Sequence, residues 1–147
     1  MTGSETDRIA EAFISRTLPK REWTHEAHLK VGLWHALRHP PETNPAGRNL
    51  AEDPALALLR ERIRAYNEAT GVPNTDTGGY HETITRFYIM LIRRFIASAD
   101  RARPVDELAA ELIFRHGDRE LPLRHYTRER LFSTAARAGW LPPDAAV

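Results

Sequence analysis

The chain has 147 residues, the size of one folded domain, and its 41% hydrophobic and 28% charged residues are typical of a globular protein. Its net charge of +1 gives no electrostatic basis for binding nucleic acid or an anionic membrane surface. The chain has no cysteine, which excludes disulfides, thiolate zinc sites and iron–sulfur clusters. Any tightly bound transition metal therefore needs imidazole or carboxylate ligands.

Apolar periodicity and helix-end signals predict helices along most of the chain. We predict six helices, over residues 5–16, 24–39, 54–71, 80–99, 104–117 and 127–139. Thr24 is the N-cap of the second, Pro54 begins the third, and the fourth has the widest apolar face. Residues 40–53 and 71–79, rich in Pro, Gly and Asn, are predicted loops. The sequence therefore predicts a single all-α domain over residues 1–147, a bundle of about five to six helices.

Nothing in the sequence predicts contact with a membrane. Residues 1–10 are charged and lack the apolar segment of a signal peptide. The longest apolar run, residues 87–92, is far too short to span a bilayer. We expect a cytoplasmic protein that binds neither membrane nor nucleic acid, and the sequence leaves its oligomeric state open.

Four of the seven histidines lie on the predicted second helix. On a helix, His25, His28, His35 and His39 fall within an arc of roughly 80° that also contains Gly32. His25 and His28 are three residues apart and can share one metal ion, whereas His35 lies about 10 Å further along the axis. We interpret His35 and His39 as packing or surface residues. The pair itself also has a structural interpretation, since HxxH occurs by chance.

The sequence GGYHET, residues 78–83, begins the predicted fourth helix. His81 is expected on the inward face of this helix, where a buried imidazole needs a metal, a carboxylate or a backbone carbonyl as partner. Glu82 is a candidate catalytic base or fourth ligand, or it complements the helix dipole. His25, His28 and His81 together would hold an ion and leave a position open, as in catalytic zinc sites.

The loop before the fourth helix supplies candidates for a substrate pocket: Tyr66, Asn74, Thr75 and Tyr80. Local turn hydrogen bonds explain the polar loop residues equally well. The expected cofactor is a divalent transition metal, zinc first, with nickel, iron and copper as alternatives because imidazole binds all four. The expected partner is a small-molecule substrate or ligand.

Two blocks, TLPKREWTHEAHL (17–29) and YNEATGVPNTDTGGYHETITRF (66–87), resemble a family of small, mostly uncharacterised bacterial proteins. Members carry a WTHxAHL block followed by a GxxNTxxGGYHET block. The resemblance covers roughly half the chain and implies that the two histidine segments belong to one design. A weaker similarity links the chain to DinB-like helical bundles, which hold a metal with three histidines. The chain departs from that pattern because its third histidine follows a glycine turn.

Three functions are compatible with these patterns. The first is a metal-dependent enzyme that acts on a small molecule by hydrolysis or Lewis-acid chemistry. The second is a non-catalytic protein that binds a metal or a small ligand at the same residues. The third is a helical interaction module in which the histidines are structural.

Overall fold

The computed structural model describes residues 3–41 and 52–145, and within these ranges every regular element is helical. Its helices are α1 (Glu5–Ser15), α2 (His25–Arg38), α3 (Pro54–Ala69), α4 (Glu82–Ala97), α5 (Val105–His116), α6 (Arg128–Leu131) and α7 (Thr134–Ala138). The predicted all-α bundle is thus confirmed. In the described part of the chain, no helix has the length and apolarity needed to cross a membrane.

The predicted starts of α2 and α3 are confirmed by their caps. Thr24 accepts a hydrogen bond from the Ala27 amide, and Asp53 accepts one from Ala55 ahead of Pro54 as the first helical residue. Of the predicted loop over residues 40–53, residues 42–51 lie outside the described ranges.

Two helices differ from their predicted extents. α4 begins at Glu82 rather than near Tyr80, because His81 has an extended backbone and serves as the N-cap. The predicted sixth helix is two short helices, α6 and α7. Ser133 interrupts it by capping the second of them, accepting a hydrogen bond from the Ala136 amide.

The segment 71–79 is irregular, as predicted, and the Asn74 side chain organises it. Its Oδ1 accepts hydrogen bonds from Asn67 Nδ2 and the Tyr80 amide, and its Nδ2 donates to the Arg64 carbonyl. Gly79 has a positive φ of 79°, and a Cβ there would lie 2.5 Å from the Pro73 carbonyl oxygen. The glycine is therefore required by both backbone conformation and space.

Helix α2 packs against α1, α3, α4 and α5, so most of the apolar core meets it. One core cluster joins it to α1 and α3 around Phe13, Val31 and Tyr66. A second joins it to α4 and α5 around Leu33 and Ile92. A third, smaller cluster lies between α4 and residues 117–145, which we call the C-terminal segment.

His35 is part of this core, at 0% exposure, which confirms the interpretation of this histidine as a packing residue. Its Nδ1 donates to the Val31 carbonyl at 2.7 Å, and its Nε2 accepts from Arg62 at 2.9 Å. Burial, together with the nearby Arg62 cation, lowers the pKa of His35 to about 4. The imidazole is therefore neutral in the folded protein.

This pKa predicts an acid-sensitive fold. The folded-state pKa lies below the ordinary value near 6.5, so the unfolded chain takes up the proton first. The contribution of His35 is fully present above about pH 6.5 and is lost as the pH falls toward 4, at about 1.4 kcal/mol per pH unit. Urea unfolding of the wild type and His35→Gln from pH 7 to 4.5 should give a shallower pH dependence for the variant, because an amide does not titrate. Parallel curves would contradict this assignment.

Candidate functional site

A cavity of about 450 Å³ lies between α2, α3 and α4, beside the His25–His28 pair. Its wall is mostly aliphatic, formed by Leu29, Val31, Gly32, Leu59, Ile63, Ile84, Ile89 and Ile92. Polar and aromatic side chains line the remainder: Trp23, Thr24, His25, His28, Thr85, Tyr88 and Arg119. The arrangement, a largely apolar pocket with a few polar groups, is the usual one for small-molecule sites.

His28 lines this cavity and is held in one tautomer. Its ring stacks on Trp23 with centroids 3.8 Å apart, and its Nδ1 donates to the Thr24 carbonyl at 2.6 Å. Since a carbonyl can only accept, the proton is on Nδ1 and the lone pair is on Nε2. The residue is exposed overall, yet the protein atoms packed around its ring disfavour the charged form and lower its pKa to about 4. At neutral pH, Nε2 therefore presents an acceptor.

His25 and Tyr88 lie side by side in the cavity wall. Their rings form an edge-on contact with centroids 5.8 Å apart. His25 Nε2 and Tyr88 Oη are both buried, and neither has a hydrogen-bond partner among the described residues. Burial lowers the pKa of His25, aided by the charge of Arg119, and burial raises the pKa of Tyr88 to about 12. Both groups are therefore neutral and free to bond to a ligand.

Gly32 lets α4 approach α2 at the floor of the cavity. A Cβ on Gly32 would lie 2.9 Å from Ile92 Cδ1, closer than such atoms normally come. Ile92 is therefore the residue that closely approaches the α2 backbone at Gly32. The two helices that carry the histidine pair and Tyr88 are joined by this contact.

His81 lies elsewhere and has both ring nitrogens occupied. As the N-cap of α4, its Nδ1 accepts from the Ile84 amide at 3.1 Å, and its Nε2 donates to the Leu131 carbonyl at 2.7 Å. Burial lowers its pKa, which keeps it neutral. The buried imidazole has thus found a backbone carbonyl as partner, one of the three alternatives open from the sequence.

Glu82 is fixed in an ion pair on the side of α4 that meets α3. Its Oε1 accepts from Arg60 Nε at 2.9 Å and from Tyr80 Oη at 2.7 Å, and its Oε2 accepts from Arg60 Nη2 at 2.7 Å. Burial raises its pKa, but hydrogen bonds from Arg60 and Tyr80 outweigh this, so the pKa lies below its usual value. The carboxylate is ionised, and both of its oxygens are engaged.

The predicted pocket residues separate into a core and a loop group. Tyr66 is fully buried and donates its hydroxyl to the Leu18 carbonyl at 2.8 Å. Asn74, Thr75 and Tyr80 line a different, polar cavity of about 330 Å³ together with Arg137. None of these four lines the cavity beside His25 and His28. Their role in substrate binding remains a prediction.

The histidines do not form the arrangement expected for a three-histidine metal site. Within residues 3–41 and 52–145, no three His, Asp or Glu side chains are grouped so that they could hold one ion. His81 does not fit the role of third ligand, since both its nitrogens are bonded to the backbone. His25 and His28 line one cavity and fit a metal only as a pair.

Trp23, Tyr88 and Arg119 are among the cavity residues that were not identified from the sequence as site residues. Trp23 precedes the histidine pair in the sequence, so the WTH block could have identified it as a residue of the same cavity. Tyr88 follows the apolar periodicity of α4 and reads as a core residue. Arg119 lies in an irregular segment after α5, and no local pattern connects it to α2.

The contacts of Glu82 predict a structural role. Glu82→Gln removes the charge that pairs with Arg60 and should lower the free energy of unfolding by about 1–3 kcal/mol, measured by urea denaturation. Glu52→Gln is a matched control, because Glu52 pairs with the same Arg60 but is more exposed. Glu52→Gln should lower the free energy of unfolding by no more than about 1 kcal/mol. If Glu82→Gln loses no more stability relative to the wild type than Glu52→Gln does, Glu82 does not have the predicted structural role.

Comparisons with known proteins provide no relative from which a function can be transferred. No protein-family model, no curated protein and no solved structure matches the chain. The resemblance of its two blocks to small bacterial proteins therefore remains an expectation.

Proposed function

We propose that the protein binds a small, largely apolar molecule carrying a hydrogen-bonding group, in the cavity between α2, α3 and α4. The observation that supports this is the pair of buried, unpartnered polar atoms on the cavity wall, His25 Nε2 and Tyr88 Oη. A buried polar atom without a partner costs about 1–3 kcal/mol. A ligand that bonds to these atoms recovers that energy.

The size and lining of the cavity support the same function. Its volume of about 450 Å³ lies within the range of roughly 300–1,000 Å³ typical of small-molecule sites. The aliphatic side chains of three helices provide most of the surface, and three of the polar groups, Thr24, His25 and His28, lie at the N-terminal turns of α2. An apolar ligand body with one polar end matches this division.

Filling the cavity tests the proposal. Ile63 is partly buried and lines the cavity, so Ile63→Phe places extra carbon atoms where the ligand would lie. We expect medium-chain alcohols such as decanol to raise the melting temperature of the wild type, since a ligand that binds the folded state stabilises it. In Ile63→Phe, decanol should raise the melting temperature by less than a quarter of the rise seen in the wild type.

Ile14→Phe is the matched control. Ile14 is also partly buried and packs against the same core cluster, but it does not line the cavity. Its melting temperature should rise with decanol as in the wild type. If decanol shifts neither the wild type nor Ile14→Phe, or shifts Ile63→Phe equally, the cavity is not the binding site.

A divalent metal at His25 and His28 is a second candidate. The observation in its favour is the Nδ1–H bond of His28 to the Thr24 carbonyl, because metal-binding histidines are commonly oriented in this way. His25 lies three residues earlier and has an unpartnered Nε2. The metal-dependent enzyme expected from the sequence depends on such an ion, with zinc the first to test.

Zinc titration separates the two candidates. If the pair binds zinc, the ion should raise the melting temperature of the wild type and of His35→Gln, each relative to its own metal-free value. His28→Ala should lose that rise, because a single remaining imidazole binds weakly. A wild-type melting curve that zinc leaves unchanged would exclude the metal and leave the apolar ligand as the proposal.

A further inference from the structure

A second cavity, of about 460 Å³, adjoins the first on the side of the C-terminal segment. The two share four lining residues: His25, Ile84, Tyr88 and Arg119. The shared wall therefore contains both unpartnered polar atoms and a cationic side chain. A molecule that reaches from one cavity to the other must pass these groups.

Arg119 is a cation whose neighbouring carboxylates are already paired. Asp118 bonds to Arg124 at 2.6 Å, and Glu120 lies 3.8 Å from Arg128. Among the described residues, no carboxylate lies within ion-pair distance of Arg119 itself. Its guanidinium is thus available to an anion at the junction of the two cavities.

The groups without a partner at this junction can receive an anion. None of the described residues that line the first cavity is acidic. Glu120 lines the second cavity and the charge of Asp118 reaches His25 and Tyr88, but each of these carboxylates lies close to an arginine of its own. The N-terminus of α2, at Thr24 and His25, directs the positive end of the helix dipole toward the same place. Tyr88 Oη, which has no partner among the described residues, is a hydrogen-bond donor there.

We infer that the two cavities form one site for an amphipathic monocarboxylate. Its apolar body occupies the first cavity, and its carboxylate bonds to Arg119 and Tyr88 where the cavities meet. A carboxylate suits Arg119 because the guanidinium can donate two parallel hydrogen bonds to it. The inference rests on the proposed function and adds to it the chemical class of the ligand.

The test compares decanoate with decanol, which has the same chain length and no charge. Titration calorimetry at low ionic strength should show that the wild type binds decanoate more tightly than decanol. Arg119→Gln should weaken decanoate binding about tenfold, the effect of losing one charged hydrogen bond, and leave decanol within twofold. Arg101→Gln removes an equal charge from an exposed residue that lines neither cavity and should change neither affinity.

The outcomes separate this inference from the proposed function. If decanol binds as tightly as decanoate, or Arg119→Gln leaves decanoate binding unchanged while Ile63→Phe abolishes it, the apolar site stands and carboxylate recognition is wrong. If neither compound binds the wild type, both are wrong. Equal weakening of decanoate by Arg119→Gln and Arg101→Gln would show a general charge effect and also overturn the inference.

Discussion

The close contact between α2 and α4 at Gly32 is the constraint on which the cavity depends. A side chain at this position would require the end of the Ile92 side chain to move, because its Cδ1 would lie 2.9 Å from the added Cβ. Gly32 and Ile92 both line the cavity, and Ile92 also belongs to the core cluster between α2, α4 and α5. The contact therefore connects that cluster to the cavity wall. His28 and His25 lie on the same arc of α2, nearer its N-terminus. Gly32 and the histidine pair therefore share the face of α2 that lines the cavity opposite Tyr88 of α4.

His28 and His35 make the same local hydrogen bond and differ in the partner of the second ring nitrogen. In His28 and His35, Nδ1 donates to the carbonyl four residues earlier, which fixes the proton there and leaves Nε2 as an acceptor. Arg62 occupies that acceptor in His35, whereas in His28 it is left for the cavity. His81 has the opposite tautomer and satisfies both nitrogens with backbone groups. The three histidines therefore differ in whether a group among the described residues occupies Nε2, and this difference is what brings His28 into the proposed site.

Helices and caps could be predicted from sequence because their signals are local. Thr24, Pro54 and the apolar periodicity of α4 each act within a few residues of the structure they determine. The partner of His81 could not be predicted, because the Leu131 carbonyl is 50 residues away and becomes available only where the predicted sixth helix is interrupted. Arg119 is a similar case, since only tertiary packing brings its segment to the N-terminus of α2. The site residues found on α2 were those whose geometry a single helix already defines.

The two sequence blocks that carry histidines contribute to the site in different ways. The first block places Trp23, His25 and His28 on the cavity wall. The second ties elements together: Glu82 joins α4 to α3 through Arg60, and Thr83 donates to the Gly139 carbonyl in the C-terminal segment. That segment includes Leu131, which lines the second cavity and is bonded to His81. The second block thus positions one wall of the second cavity, which adjoins the cavity that the first block lines.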